Sequence, residues 1–179
     1  MAVLRATEVL RRFDAAELSL CLKLNRGCES RGVRTFFGVV SRLGDGVLWY
    51  VLILALPLLY PDLGLLPSLQ MAVTGLLGVA LYKALKHTLV RERPFISCSR
   101  IHLGTAPLDR YSFPSGHTLH AVCFTTLATS FVPELAVLLI PFALLVAASR
   151  VVLGLHYPTD VVAGAVIGFA LARLSLLIA

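Results

Sequence analysis

Charged residues are scarce in this chain of 179 residues: they make up 15% of it, whereas 58% is hydrophobic. The mean hydropathy is correspondingly high, at +0.85. A water-soluble domain has about 25% charged and about 45–50% apolar residues. The apolar excess lies in long blocks with few charges, as is typical of membrane spans. We therefore expect an integral membrane protein whose residues 1–179 form a single membrane-embedded domain.

Metal-ligand patterns are missing from the sequence. The four cysteines form no C-x-x-C pair and no spacing typical of a metal site. Cys21 and Cys123 lie in apolar runs, where a thiol is most simply a small hydrophobic side chain. The sequence therefore predicts neither a bound metal nor another cofactor.

The N-terminal residues lack the uninterrupted apolar core of a cleavable signal peptide, because charged residues recur from Arg5 to Glu17. We expect the later spans to direct membrane insertion. The net charge of +6 is not concentrated in a soluble basic domain that could bind a nucleic acid. The basic residues lie instead at the edges of apolar blocks, so the expected partners are lipid headgroups of the membrane or a phosphorylated substrate. The oligomeric state stays open.

Apolar blocks of about 20 residues, the length that a ~30 Å hydrocarbon core requires, predict an all-α polytopic transmembrane bundle of about five spans. The expected spans are Leu43–Tyr60, Ser68–His87, Ser115–Val132, Leu135–Val152 and a last one from Asp160 to the C-terminus. We expect them to form the helical bundle of residues 35–179, which carries the active site. Trp49, Tyr50 and Tyr60 are candidate interfacial aromatics of the first span.

Residues 1–34 are expected to form an N-terminal helix and a linker. From about Thr7 to Leu24, charged and apolar positions alternate at helical spacing. Apolar residues that can share one flank are Val9, Leu10, Phe13, Leu18, Leu20 and Leu22, and charged residues that fall elsewhere are Arg11, Arg12, Asp14 and Glu17. This pattern predicts an amphipathic helix in the membrane interface, with a spanning helix as the alternative. The polar stretch from Asn25 to Arg34 contains two glycines and predicts a turn or linker.

A first polar cluster, Lys86 with Arg93 and Pro94, lies at the end of the second predicted span. The two cations can converge if the helix ends between them, which Pro94 favours. Both charges suit phosphate oxygens, and Arg93 adds a planar bidentate fork. Taken alone, the pair is also compatible with basic residues that simply flank a membrane edge.

A second cluster, Pro114 to His117, opens the third predicted span. Ser115 is a typical helix cap, and a helix N-terminus offers free N–H groups and a partial positive charge to a phosphate. Gly116 lets a ligand approach the backbone closely. His117 lies within the first turn and can donate a proton to a leaving oxygen. The alternative is a capped helix with an interfacial histidine.

A third cluster joins Arg150, near the end of the fourth predicted span, to His156 and Asp160. Pro158 favours the start of the last helix, with Asp160 in its first turn, where a carboxylate is stabilised. The spacing lets Asp160 accept a hydrogen bond from one His156 nitrogen, which leaves the other nitrogen as a nucleophile. A purely structural His–Asp bond is the alternative.

Together the three clusters supply the groups needed for phosphoryl transfer through a phosphohistidine. One histidine attacks phosphorus, a carboxylate orients it, the other histidine protonates the leaving group, and cations neutralise the equatorial oxygens. The clusters resemble the three signatures of the type-2 phosphatidic acid phosphatase family, K-x6-RP, PSGH and SR-x5-H-x3-D. All three are intact and in order, and the resemblance covers roughly residues 43–179.

This resemblance implies a membrane-bound, metal-independent lipid phosphatase of the phosphatidylglycerophosphatase or undecaprenyl-diphosphatase kind. It implies that His156 is the nucleophile, Asp160 its orienting partner and His117 the general acid. The residues that it implies for phosphate binding are Lys86, Arg93, Ser115, Gly116 and Arg150. The implied substrates are a polyprenyl diphosphate, phosphatidic acid or phosphatidylglycerol phosphate.

Two other activities are compatible with the same residues: a phosphotransferase with an alcohol acceptor, and a non-catalytic lipid or phosphate carrier. Members of the family typically have six spans, whereas this sequence shows about five after a charged N-terminal helix. A bacterial inner membrane is the expected location. Bacterial relatives commonly place the site on the periplasmic side, but the positive-inside rule points the same face toward the cytoplasm, so the side stays open.

Overall fold

The computed structural model describes residues 2–178, with side chains from residue 14 onward. The helices are α1 (Ala2–Asn25), α2 (Arg31–Arg42), α3 (Leu48–Leu59), α4 (Leu65–Leu89), α5 (Pro94–Ser97), α6 (Gly116–Phe131), α7 (Ala136–Val152) and α8 (Pro158–Ile178). Single 3-10 turns, Arg26–Glu29 and Pro133–Leu135, follow α1 and precede α7. Extended structure in residues 2–178 is limited to one isolated antiparallel bridge between Glu92 and Tyr111.

Among the described residues, four helical segments are long and apolar enough to cross a membrane: Arg31–Leu59, Leu65–Leu89, Pro133–Val152 and Pro158–Ile178. The remaining predicted span corresponds to α6, which has 16 residues. The all-α transmembrane bundle expected from the sequence is confirmed.

The first membrane segment begins earlier than the hydropathy pattern indicates. Ser30 is extended, and α2 starts directly after it at Arg31, so residues 31–34 are helical and not part of a linker. A wide π turn at Leu43–Val47 joins α2 to α3, and Gly46 adopts a φ of 131° there. Glycine tolerates this backbone conformation because it has no Cβ. This turn carries Asp45 to the wall of a central cavity.

The innermost helix is α6, which packs against α4, α7 and, most extensively, α8. Leu119 and Leu127 of α6 are fully buried. Trp49 of α3 is also buried and packs against Phe124 of α6 and Phe142 of α7. Its predicted place at the membrane interface is therefore wrong. The helices around α6 expose many leucine and valine side chains on their outer faces, as expected of a bundle whose surroundings are lipid.

Two glycines of α8 allow the close approach of α8 to α6. A Cβ at Gly164 would lie 2.5 Å from the carbonyl oxygen of Ser115, and a Cβ at Gly168 would meet the carbonyl oxygen of Leu119. This small-xxx-small spacing permits backbone contact between membrane helices. It brings the first turns of α6 and α8 together, and the Ser115 N–H donates to the Asp160 carbonyl oxygen at 3.0 Å.

The N-terminal segment forms the helix α1 and contacts α7 and α8. The predicted apolar positions Val9, Leu10 and Phe13 have side chains outside the described residues. Glu17 differs from the prediction, which placed it on a separate charged flank. It is 6% exposed, because its carboxylate accepts hydrogen bonds from other parts of the chain.

Candidate active site

The eight residues identified in the sequence come together around one cavity of about 440 Å³. Six of them line it: Lys86, Arg93, Gly116, His117, Arg150 and His156. Ser115 and Asp160 are fully buried in the bundle, joined by the backbone hydrogen bond described above. Helix ends and the turn before α8 therefore deliver all three clusters to one place.

Lys86 and Arg93 converge in the way that their spacing predicts. α4 ends at Leu89, Val90 is left-handed, and Arg93 caps α5, whose first residue is Pro94. Both cations are buried and contact one carboxylate, that of Asp109. Lys86 Nζ donates to Asp109 Oδ2 at 2.7 Å, and Arg93 Nη2 donates to Oδ1 at 2.8 Å.

Asp109 also lines the cavity, although no pattern in the sequence points to it. It lies in the loop between α5 and α6, and 39% of its side chain is exposed. Burial alone would raise the pKa of Asp109, but the hydrogen bonds and charges of Lys86 and Arg93 hold that pKa below its ordinary value. The group is therefore an anion at neutral pH, and it occupies donors that suit a phosphate. An isolated loop aspartate carries no motif by which the sequence could have revealed it.

Arg93 also connects the first cluster to the third. Its Nη1 donates to the carbonyl oxygen of Leu155 at 2.8 Å and lies 3.3 Å from Nε2 of His156. Its Nε donates to the carbonyl oxygen of Asp109 at 2.8 Å. This guanidinium, only 1% exposed, thus lies beside one nitrogen of the histidine ring.

The first turn of α6 has the capped geometry that the sequence predicts. The Ser115 hydroxyl accepts the N–H of Thr118 at 3.4 Å. His117 Nε2 lies 3.2 Å from Oδ1 of Asp45, the residue carried by the π turn. Asp45 is a second residue of the cavity wall that the sequence did not predict, because an aspartate between two glycines is typical of a simple turn.

Arg150 brings a third buried cation to the cavity from the last turn of α7. It is 3% exposed and donates from Nη1 to the Ser41 hydroxyl. Its Nε has no hydrogen-bond partner among the residues that the structure describes. Buried donors of this kind are normally satisfied, and a guanidinium beside a cavity suits an anionic ligand.

The turn between α7 and α8 orients His156. The N–H groups of Leu155 and His156 both donate to the carbonyl oxygen of Arg150 at 3.0 Å, and Gly154 adopts a φ of 73° to complete the turn. His156 is 1% exposed. Burial, followed by the charges of Arg150 and Arg93, lowers the pKa of its imidazole well below the ordinary value. The ring is therefore neutral at neutral pH.

Asp160 lies next to His156, but the predicted hydrogen bond is not formed in this structure. Oδ2 of Asp160 is 3.7 Å from Nδ1 of His156, which exceeds hydrogen-bond distance. Oδ2 accepts the backbone N–H of Tyr157 at 2.8 Å instead, and Oδ1 accepts Nη1 of Arg91 at 2.7 Å. His156 Nδ1 has no partner within the described part of the chain.

The cavity continues from these polar groups into an apolar cleft between α3 and α4. Residues of this cleft are Trp49, Ile53, Met71, Ala72, Leu76 and Val79. Tyr50 and Leu76, which also line the cavity, are 67% and 74% exposed. The cleft therefore reaches the outer surface of the bundle, which is the surface that faces lipid.

Cations, and not a cluster of metal-binding side chains, dominate the site. In the described part of the chain, no group of three or more His, Cys, Asp or Glu residues is placed to hold a metal ion. All four cysteines are present there as free thiols.

Residues 67–179 match the model of the PAP2 superfamily. The decaprenylphosphoryl-5-phosphoribose phosphatase of Mycolicibacterium smegmatis is 34% identical over 135 residues, which are 74% of this chain and 72% of that protein. The undecaprenyl-diphosphatase of Sulfolobus acidocaldarius is 29% identical over 162 residues, which are 89% of this chain and 75% of that protein.

Two crystal structures share the fold. LpxE of Aquifex aeolicus has a TM-score of 0.78 and 27% identity, over 89% of this chain and 94% of that one. The transmembrane PAP2-type phosphatidylglycerolphosphate phosphatase of Bacillus subtilis has a TM-score of 0.74 and 24% identity, over 99% of this chain and 90% of that one. The helical arrangement of this chain is thus that of known membrane phosphatases.

Proposed function

Because the chain belongs to the PAP2 superfamily and is an integral membrane lipid phosphatase, we propose that it hydrolyses a polyprenyl phosphate or diphosphate through a phosphohistidine. The observation that carries this proposal is the single cavity that joins three buried cations and two histidines to an apolar cleft. Two relatives are named as phosphatases of decaprenyl and undecaprenyl compounds, which favours a polyprenyl tail over the diacylglycerol of phosphatidic acid or phosphatidylglycerol phosphate.

In this mechanism the three cations hold the phosphate of the substrate. Lys86, Arg93 and Arg150 reach the cavity from three separate chain segments, so they can surround the equatorial oxygens. The first turn of α6, which the Ser115 hydroxyl caps, adds the positive end of a helix, and Gly116 of this turn lines the cavity. The substrate must displace Asp109, which engages Lys86 and Arg93 in this structure.

His156 is the nucleophile of the proposed reaction. Its neutral Nε2, beside Arg93, forms a bond to phosphorus as the bond between phosphorus and the lipid or phosphate leaving oxygen breaks. Asp160 lies on the other side of the ring, near Nδ1, and stabilises the positive charge that the imidazole gains. Water then attacks the phosphohistidine and releases inorganic phosphate.

His117 supplies the proton that the leaving oxygen needs. It lines the same cavity as His156 from the first turn of α6, and Asp45 is within contact of its Nε2. A positioned acid of this kind contributes about 10²- to 10⁴-fold in rate. After the first step the same imidazole can accept a proton from the attacking water.

The apolar cleft between α3 and α4 holds the lipid tail in this proposal. A cleft that opens to lipid lets the headgroup reach the cations while the tail stays in an apolar environment, so the substrate need not leave the membrane.

No step of this mechanism calls for a metal ion. We also propose a cell-membrane location, where tag accessibility at each terminus would assign the face that carries His156.

Phosphate release in detergent tests the proposal. Polyprenyl phosphate, polyprenyl diphosphate, phosphatidic acid and phosphatidylglycerol phosphate should be compared, with and without a chelator. We expect turnover of the polyprenyl substrates, unchanged by the chelator, and its loss in His156→Ala and His117→Ala. The exposed His87 provides the matched control, His87→Ala.

Three outcomes would count against parts of this proposal. Turnover retained by purified His156→Ala would refute the phosphohistidine. Transfer of labelled phosphate to an added alcohol in place of water would assign a phosphotransferase. Lipid binding by the wild type without any turnover would assign a carrier.

A further inference from the structure

We infer that Glu17 and Arg91 are positioning residues, through which α1 holds Asp160 against the histidine nucleophile. Neither residue is a specified position of the three motifs: Arg91 occupies a variable position of K-x6-RP. Glu17 lies outside residues 67–179, which match the family model. The inference rests on the proposed function, in which His156 is the nucleophile and Asp160 acts on it.

The guanidinium of Arg91 bridges two buried carboxylates. Its Nη1 donates to Asp160 Oδ1 at 2.7 Å and to the Thr159 hydroxyl at 2.7 Å. Its Nη2 donates to Glu17 Oε2 at 2.6 Å. The guanidinium also stacks 4.1 Å from the centroid of the Tyr157 ring, so its orientation is restrained on several sides.

Glu17 uses both carboxylate oxygens in this cluster, and its side chain is only 4% exposed. Oε2 accepts from Arg91, while Oε1 accepts from the Thr159 N–H at 2.7 Å and from the Thr159 hydroxyl. Thr159 immediately precedes Asp160 in the first turn of α8. The Glu17 side chain of α1 therefore binds both Arg91, which pairs with Asp160, and the backbone of Thr159, which precedes Asp160.

The charges of this cluster suit the reaction. Two carboxylates and one guanidinium leave one net negative charge behind the His156 ring. When Nε2 of His156 bonds to phosphorus, the ring becomes positive, and that negative charge stabilises it in a low-dielectric setting. Without the charge of Glu17, Arg91 would neutralise Asp160, and the stabilisation would fall.

Glu17→Gln tests this role because it removes the charge and keeps the size of the side chain. We expect kcat to fall by about 10- to 100-fold, the range that a small misplacement near a reacting group produces. KM and the inhibition constant of inorganic phosphate should stay within about twofold, because Lys86, Arg93 and Arg150 are untouched. The matched control is Glu29→Gln, at an exposed glutamate, which should behave as the wild type.

Two more variants separate positioning from a structural tether. Glu17→Asp keeps the charge and should recover part of the lost kcat. Arg91→Lys keeps the charge but not the bridging fork, and should lower kcat as Glu17→Gln does. A Glu17→Gln enzyme with wild-type kcat would overturn the inference. The inference would also be overturned if the loss of kcat in Glu17→Gln came with weaker phosphate binding and a lower thermal stability, because such a variant would have lost its structure more generally.

His156→Ala, measured in parallel, distinguishes failure of this inference from failure of the proposed function. If His156→Ala turns over as the wild type does, the proposed function fails. If His156→Ala is inactive while Glu17→Gln is fully active, only the positioning role of Glu17 fails.

Discussion

Nε2 of His117, in the first turn of α6, lies 3.2 Å from Oδ1 of Asp45, in the π turn of the first membrane segment. When this nitrogen carries a proton, the Asp45 carboxylate can accept a hydrogen bond from it and stabilise the charged imidazole. The irregular turn at Gly46 thus has a consequence for chemistry, since it brings a carboxylate to the proposed general acid.

Asp45→Asn should reduce turnover of substrates with poor leaving groups. We expect kcat to fall about tenfold or more with an alkyl phosphate, because protonation of the leaving oxygen is worth about 10²- to 10⁴-fold. p-Nitrophenyl phosphate, whose leaving group needs no proton, should be much less affected. The measurement is kcat for both substrates in Asp45→Asn, His117→Ala and the exposed-loop control Asp62→Asn. Equal losses with both substrates would contradict the link between Asp45 and the acid.

Asp109→Asn should strengthen phosphate binding. The native carboxylate competes for Lys86 and Arg93, and charge-assisted hydrogen bonds are worth about 1.5–3 kcal/mol each. We expect the inhibition constant of inorganic phosphate to fall about tenfold, with kcat changed less. Asp14→Asn, at an exposed position of α1, is the control. Weaker phosphate binding would show instead that Asp109 holds the two cations in place.

The acid limb of the pH profile should lie at unusually low pH. Burial and the neighbouring cations lower the pKa of His156, so this proposed nucleophile stays neutral below the ordinary histidine pKa of about 6.5. Activity is lost only as the pH falls through the lowered pKa. NMR of ¹³C-labelled histidines in detergent measures the pKa of His156, with His156→Asn to assign its signal. A pKa of His156 at or above about 6.5 would contradict the prediction.

Ala72→Phe should discriminate between lipid and soluble substrates. Ala72 lines the apolar cleft on α4, and a phenyl ring there would fill space assigned to the tail. Each tail methylene that the ring displaces from the cleft loses about 0.8 kcal/mol of burial. We therefore expect KM for a polyprenyl phosphate to rise about tenfold. KM for a short soluble phosphate should not change. Ala80→Phe, on the same helix but outside the cavity lining, is the control, and equal effects of both variants would argue against a tail site.

The sequence alone was sufficient to predict the all-α membrane bundle and the three clusters of the site. Hydropathy over about 20 residues reports a span directly. The capping role of Ser115 and the turn between Arg150 and His156 depend on residues close together in the chain, so local rules describe them. The adjacency of His156 and Asp160 follows from their four-residue spacing on a turn that leads into a helix.

The tertiary structure alone decided which other charges join the site. Glu17, Asp45 and Asp109 meet their partners through packing between distant segments, and no local pattern encodes such a contact. Hydropathy likewise could not tell that Trp49 points into the core, because a uniformly apolar span does not show which face is buried. The ion pair between Arg91 and Asp160 is another contact between distant segments, because the two residues are 69 positions apart in the chain.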